Sequence, residues 1–164
     1  MGDWALPAPR PRPLMNDQVL ALAQAIKAAQ REIERRSGEA LRDLGVTPAQ
    51  AEAILIIGAN EPLTLRELGG RIIAESGHPS RLVDRLVDAG LVRRRIPESN
   101  RRRVELTLTA RGRTLTPAIV EAQQTMLAWG ADALAGHDVA GVLAALHAIL
   151  HDSPLAGVLN IDPN

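Results

Sequence analysis

The sequence predicts a mainly α fold completed by one small β-hairpin. Three observations carry that reading. Apolar residues recur at helical spacings of three and four, as at Val19, Leu22, Ile26, Ala29 and Ile33. Two helix-start signatures follow, Thr47-Pro48-Ala49-Gln50 and Thr64-Leu65-Arg66-Glu67, each with Thr at the cap and Gln or Glu three residues on. The period drops to two at one place, where Val104, Leu106 and Leu108 alternate with Arg103, Glu105 and Thr107.

The elements follow in order. Pro7, Pro9, Pro11 and Pro13 alternate through the first 15 residues, which no helix can cross, so residues 1–15 are expected as an extended arm. Asn16 is the expected cap of a long helix reaching about Leu44, with Gly45 as its stop. Its narrow, heptad-like stripe suits a helix–helix interface between subunits, or alternatively an intrachain core. The first capping box opens a helix that buries Ala53, Ile54 and Ile57; the second opens a short helix with Leu65, Leu68 and Ile72 inward. A third helix lies between Ser76 and Asp88, with Leu82, Val83, Leu86 and Val87 apolar, and ends at Ala89-Gly90. "LVRRRI" and "RVELTL" flank "PESNR" as a two-stranded hairpin with one face buried. Thr109 caps another long helix containing Leu115, Ile119, Met126 and Leu127, with Pro117 a source of a kink. Asp138 caps a last helix with Val142, Leu143, Leu146 and Ile149 apolar, and an extended tail is expected after it.

Composition removes several function classes. The two Trp are the only aromatics, so the core is aliphatic and stacking platforms for single-stranded nucleic acid are not expected. No cysteine means no disulfide framework, no zinc finger and no thiol redox sensor. No apolar run is long enough to span a membrane and no secretory leader is legible, so a cytoplasmic protein without membrane contact is expected. The zero net charge hides a segregation. Residues 64–113 carry 12 Lys or Arg against 6 Asp or Glu, whereas residues 114–164 carry none against 5. A basic block of that kind points to a polyanion.

Helix, short helix, helix and hairpin is the order of a winged helix-turn-helix over residues 47 to 109. Its third helix would enter the major groove of double-stranded DNA while the hairpin, or wing, reaches sideways. Arg93, Arg94, Arg95, Arg101, Arg102 and Arg103 would then meet phosphates or a narrow minor groove. "LTLRELGGRI", "SRLVDRLVDAGLVRRR" and "NRRRVELTLTARGRTL" together resemble the MarR family of bacterial transcription regulators, over about residues 47 to 115. The resemblance implies a homodimer whose two winged domains bind a near-palindromic operator, as a repressor that a small ligand often relieves. With the arm read from the prolines at 1–15, the resemblance implies dimerisation helices at 16–46 and 114–164 and the DNA-binding domain at 47–113.

The candidate DNA-binding residues are Ser76, His78, Pro79, Ser80, Arg81, Asp84 and Arg85 on the recognition helix, and Arg94, Arg95, Asn100, Arg101, Arg102 and Arg103 on the wing. Ser76 is the expected cap, with Gly77, His78 and Pro79 in the first turn. Asp84 orients an arginine rather than touching phosphate, which it would repel. The family's wing carries Asp-x-Arg; here the pair is Asn100 and Arg102, whose contact lacks charge assistance unless Glu98 substitutes. The plainer alternatives are a solvated hairpin and helix-surface pairing of Arg81 and Arg85 with Asp84 or Asp88.

His147 and His151 have a spacing that can place two imidazoles on one metal, but no third ligand is identifiable, and neither metal nor cofactor is expected. Trp4 and Trp129 either line a ligand pocket or pack in a core or interface. Any ligand would lodge between the dimer helices and the winged domain, in an aliphatic lining that favours a hydrophobic molecule. A winged domain that binds an acidic protein partner is the alternative function. No nucleophile elbow, phosphate-cradling loop or paired carboxylates support an enzyme.

Overall fold

The computed structural model describes residues 14–73, 79–97 and 104–159, in two compact units, residues 1–35 and 36–164. Residues 1–13 of the expected arm, with Trp4, lie outside the described residues, and its last two positions, 14 and 15, are helical rather than extended. Helix α1 (Leu14–Ala40) is already helical at Leu14, so Asn16 sits inside it rather than at its cap. Within the first unit Arg35 meets Glu32 one turn back along the helix at 2.7 Å. The helix ends at Ala40, four residues short of the expected Leu44. Leu41 is drawn into the core, and the chain tightens into a 3₁₀ turn over Arg42–Leu44, with Leu44 N–H donating to the Leu41 carbonyl. Gly45 supplies the stop, at φ 68°.

Helix α2 (Pro48–Ala59) and helix α3 (Leu65–Gly69) both begin with the reciprocal box read from the sequence. Thr47 N–H donates to Gln50 Oε1 at 2.9 Å, and Thr64 N–H donates to Glu67 Oε2 at 2.7 Å. Helix α4 (Pro79–Asp88) follows; its expected start at Ser76 lies outside the described residues. Ala53, Ile54, Ile57, Leu68, Leu82, Val83, Leu86 and Leu106 are completely buried, forming one aliphatic core inside residues 36–164. Leu65 only packs against its edge.

The expected two-stranded hairpin is part of a three-stranded antiparallel sheet. β1 (Leu63–Thr64), β2 (Val92–Arg95) and β3 (Glu105–Leu108) lie in the order β1-β3-β2. Leu63 pairs with Leu106, filling what would otherwise be an open edge of β3. Val104 stands before β3 and is exposed, so the buried residues of β3 itself are Leu106 and Leu108.

Helix α5 (Ala110–Ala133) starts from Thr109, whose hydroxyl accepts from Gly112 N–H at 3.1 Å and donates to the Gly90 carbonyl at 2.7 Å. A Cβ on Gly112 would run into the Leu91 carbonyl oxygen, so the "TARG" stretch is a close-packed joint between α5 and the turn after α4. Ile119 is buried, whereas Leu127 projects outward. Helix α6 (Val139–Leu150) is capped by Asp138, which accepts from Gly141 N–H at 2.9 Å. The tail is not extended: successive turns carry it through Leu159, with Ala156 N–H donating to the Ser153 carbonyl.

Candidate nucleic-acid interface

Helix α4 is divided cleanly by its sequence. Leu82, Val83 and Leu86 face the core; Ser80, Arg81, Asp84, Arg85 and Asp88 face outward. The helix is seated closely on α3, because Gly69 leaves room for Pro79: a Cβ there would lie 3.2 Å from the proline ring. Small residues at the turn thus bring the two helices of the helix-turn-helix together. Ser76 and His78 lie outside the described residues.

The arginines of β2 separate by strand register. Val92 is opposite Leu108 and Arg94 opposite Leu106, while Arg93 is opposite Thr107 and Arg95 opposite Glu105. Directly opposed side chains share a face, so Arg94 starts from the buried face and Arg93 and Arg95 from the other. Arg93 donates from Nε to Thr107 Oγ1 at 2.9 Å. Arg94 extends past the edge of the core to α4, where its Nη2 lies 2.6 Å from Asp84 Oδ1. Asp84 is thus paired with an arginine, and that partner comes from the wing strand. Neither Arg81 nor Arg95 has an ion pair among the described residues. Asn100, Arg101, Arg102 and Arg103 lie outside them, as does Glu98.

Part of the basic block serves the fold instead. Arg111 donates to the Ala89 carbonyl at 3.1 Å, and Arg113 donates to the Leu108 carbonyl at 2.6 Å and to Glu61 at 2.8 Å. Sequence reading missed these locks. The signal was their place in the first turn of α5, where a long side chain can reach back over the preceding strand.

A cavity of about 340 Å³ is bounded by the end of α1, by α2 and by α5. Leu41, Leu55, Ile56 and Met126 give it an aliphatic lining, and Glu52 and Arg71 add charge at its wall. Glu52 Oε1 accepts from Ile73 N–H at 2.8 Å. Trp129 is not in the lining; its ring carries the Arg36 guanidinium 4.4 Å from the centroid. His151 Nδ1 lies 2.8 Å from Asp152 Oδ1, and among the described residues no group of three or more potential ligands could hold a metal. No described helix is long and apolar enough to cross a membrane.

The MarR family model matches residues 46–104, the span from the end of the 3₁₀ turn to the edge of β3. Over that stretch the chain is similar to the MarR family. MarR proteins are transcription regulators rather than enzymes. The organic hydroperoxide resistance transcriptional regulator of Bacillus subtilis is 28% identical over 123 residues, covering 75% of this chain and 82% of the relative. A cysteine-to-serine mutant of MarR from E. coli, in complex with operator DNA, is 25% identical and covers 85% of this chain and 99% of its own, with a TM-score of 0.71. The regulator SlyA shares the fold at 17% identity and a TM-score of 0.70, over 83% of this chain and 96% of its own.

Proposed function

We propose that this chain is a homodimeric repressor of MarR type that binds double-stranded DNA at a near-palindromic operator and is released by a small apolar ligand. The observation that carries the reading is the outward face of α4, with Ser80, Arg81 and Arg85, tied to the arginine-bearing wing strand by the contact of Arg94 with Asp84. Backbone-facing arginines position a protein on DNA, and a helix face beside them reads base edges. Ser76, His78 and Pro79 at the helix start, and Asn100, Arg101, Arg102 and Arg103 at the wing tip, join this reading through the sequence. The E. coli MarR relative is bound to operator DNA, which supports the same use of the surface.

Selection of bound duplexes from a random library tests it. The expected product is two half-sites about one helical turn apart, and log K should fall against log salt by about 0.9 for each phosphate neutralised. A flat salt response, or capture of acidic proteins in place of duplex, overturns it.

Two apolar surfaces support the dimer, each within its own unit. Val19, Leu20, Leu22 and Ile33 are exposed on α1, and Val142, Leu143 and Ile149 on α6. Contiguous exposed apolar residues of this kind mark association sites. Light scattering should give twice the 17.6 kDa of the chain.

The cavity supports the ligand. Its size falls at the lower end of small-molecule sites. A guest presenting N–H or O–H to Glu52 would compete with Ile73 N–H, on the segment leading to α4. Such differential contact is what a shift between states requires. The Bacillus subtilis relative is named for organic hydroperoxides, but this sequence has no cysteine thiol for a peroxide to oxidise, which favours release by binding. A thermal-shift screen of apolar compounds should yield one that both stabilises the protein and frees DNA; a screen yielding none removes the ligand.

A further inference from the structure

The arginines of β2 are not equivalent, and we infer that Asp84 and Arg94 form a specificity strut: Asp84 withholds Arg94 from phosphates and fixes the wing strand to the recognition helix, making Asp84 a specificity-determining residue. The inference rests on the DNA-binding reading above. Three observations support it. Arg94 leaves the strand on the face of Leu106, whereas Arg93 and Arg95 leave on the other. Its guanidinium is joined to α4 by the 2.6 Å contact with Asp84, in a pair that is half open to solvent. Asp84 stands on the outward face of α4 between Arg81 and Arg85, where an unpaired carboxylate would repel a polyanion.

The physical consequence is a trade. With Asp84 present, the pair is close to neutral and contributes little to the general attraction for phosphates. It does hold the wing and the recognition helix in one relative position, so that phosphate and base contacts fall in register. With the carboxylate removed, Arg94 is released as an additional mobile cation at the interface. Attraction to any duplex rises while the geometry that separates one sequence from another loosens. A purely architectural pair behaves differently, lowering binding to all duplexes together.

The test uses the full chain with two duplexes of equal length, one selected by the wild-type protein and one scrambled, from about 50 to about 200 mM salt. Asp84→Asn should bind the scrambled duplex more tightly, with a salt slope steeper by about 0.9 for each arginine freed. The ratio of selected to scrambled affinity should fall roughly fivefold, and Asp84→Glu should restore most of it. Arg94→Ala should weaken selected binding more in the wild-type background, where it strands Asp84, than in Asp84→Asn. An unchanged affinity ratio in Asp84→Asn overturns the strut, whatever happens to the slope. So does an equal loss on both duplexes with an unchanged slope. Failure of the wild-type protein to bind either duplex instead overturns the DNA-binding reading itself.

Discussion

Helices α4 and α6 are of similar length, ten and twelve residues, and both carry apolar side chains at intervals of three and four. Leu82, Val83 and Leu86 of α4 are completely covered by the rest of the chain. No residue of α6 is buried, and Val142, Leu143 and Ile149 remain 53%, 48% and 60% exposed. The same helical pattern has been satisfied in one place and left open in the other. Helix α4 belongs to a core that closes within residues 36–164, whereas the stripe on α6 is left uncovered by the described residues. A recognition element demands that arrangement: the outward face of α4 can be polar and charged because its inner face is fully settled.

The largest effect should come from opening the core under α4. Leu86→Ala should cost about 2–5 kcal/mol, read as a drop in the urea midpoint, because the site is fully buried and neighbouring side chains only partly collapse. The matched change on α6, Leu143→Asp with Ile149→Asp, should leave the circular dichroism of the winged domain intact and shift light scattering to the single-chain mass. Loss of the fold in this double variant would erase the contrast. Next in size are the caps. Thr109→Ala should cost about 1–2 kcal/mol, since the hydroxyl serves Gly112 and also binds the Gly90 carbonyl, while Asp138→Ala at α6 should cost about 1 kcal/mol. Equal costs would mean that the second hydrogen bond of Thr109 is idle. The smallest effect belongs to Arg36→Ala, which removes the cation over Trp129: about 0.5–1 kcal/mol, with a change in tryptophan emission.

These contrasts follow what could be read in advance. The boxes at Thr47 and Thr64 were legible because each is a local, reciprocal pattern spanning four residues. Strand β1 was not, being two residues long and formed only because β3 has a free edge for Leu63 to fill. The turns of the tail were missed because Pro154 and Gly157 read as breakers, although isolated turns tolerate both. For the site, the outward face of α4 followed from the spacing of Leu82, Val83 and Leu86. The division of Arg93, Arg94 and Arg95 was within reach too: Val92 anchors a two-residue period that places Arg94 on its own face. Its contact with Asp84 joins two elements, and no sequence period reports that.

Thr64 is at once the last residue of β1 and the cap of α3. No spare residue lies between sheet and helix to absorb a rotation, so α3 cannot tilt without pulling Leu63 away from Leu106. A regulator that adjusts this protein's grip must therefore carry the sheet and the helix-turn-helix as a single solid piece, and the flexing has to be found elsewhere along the chain.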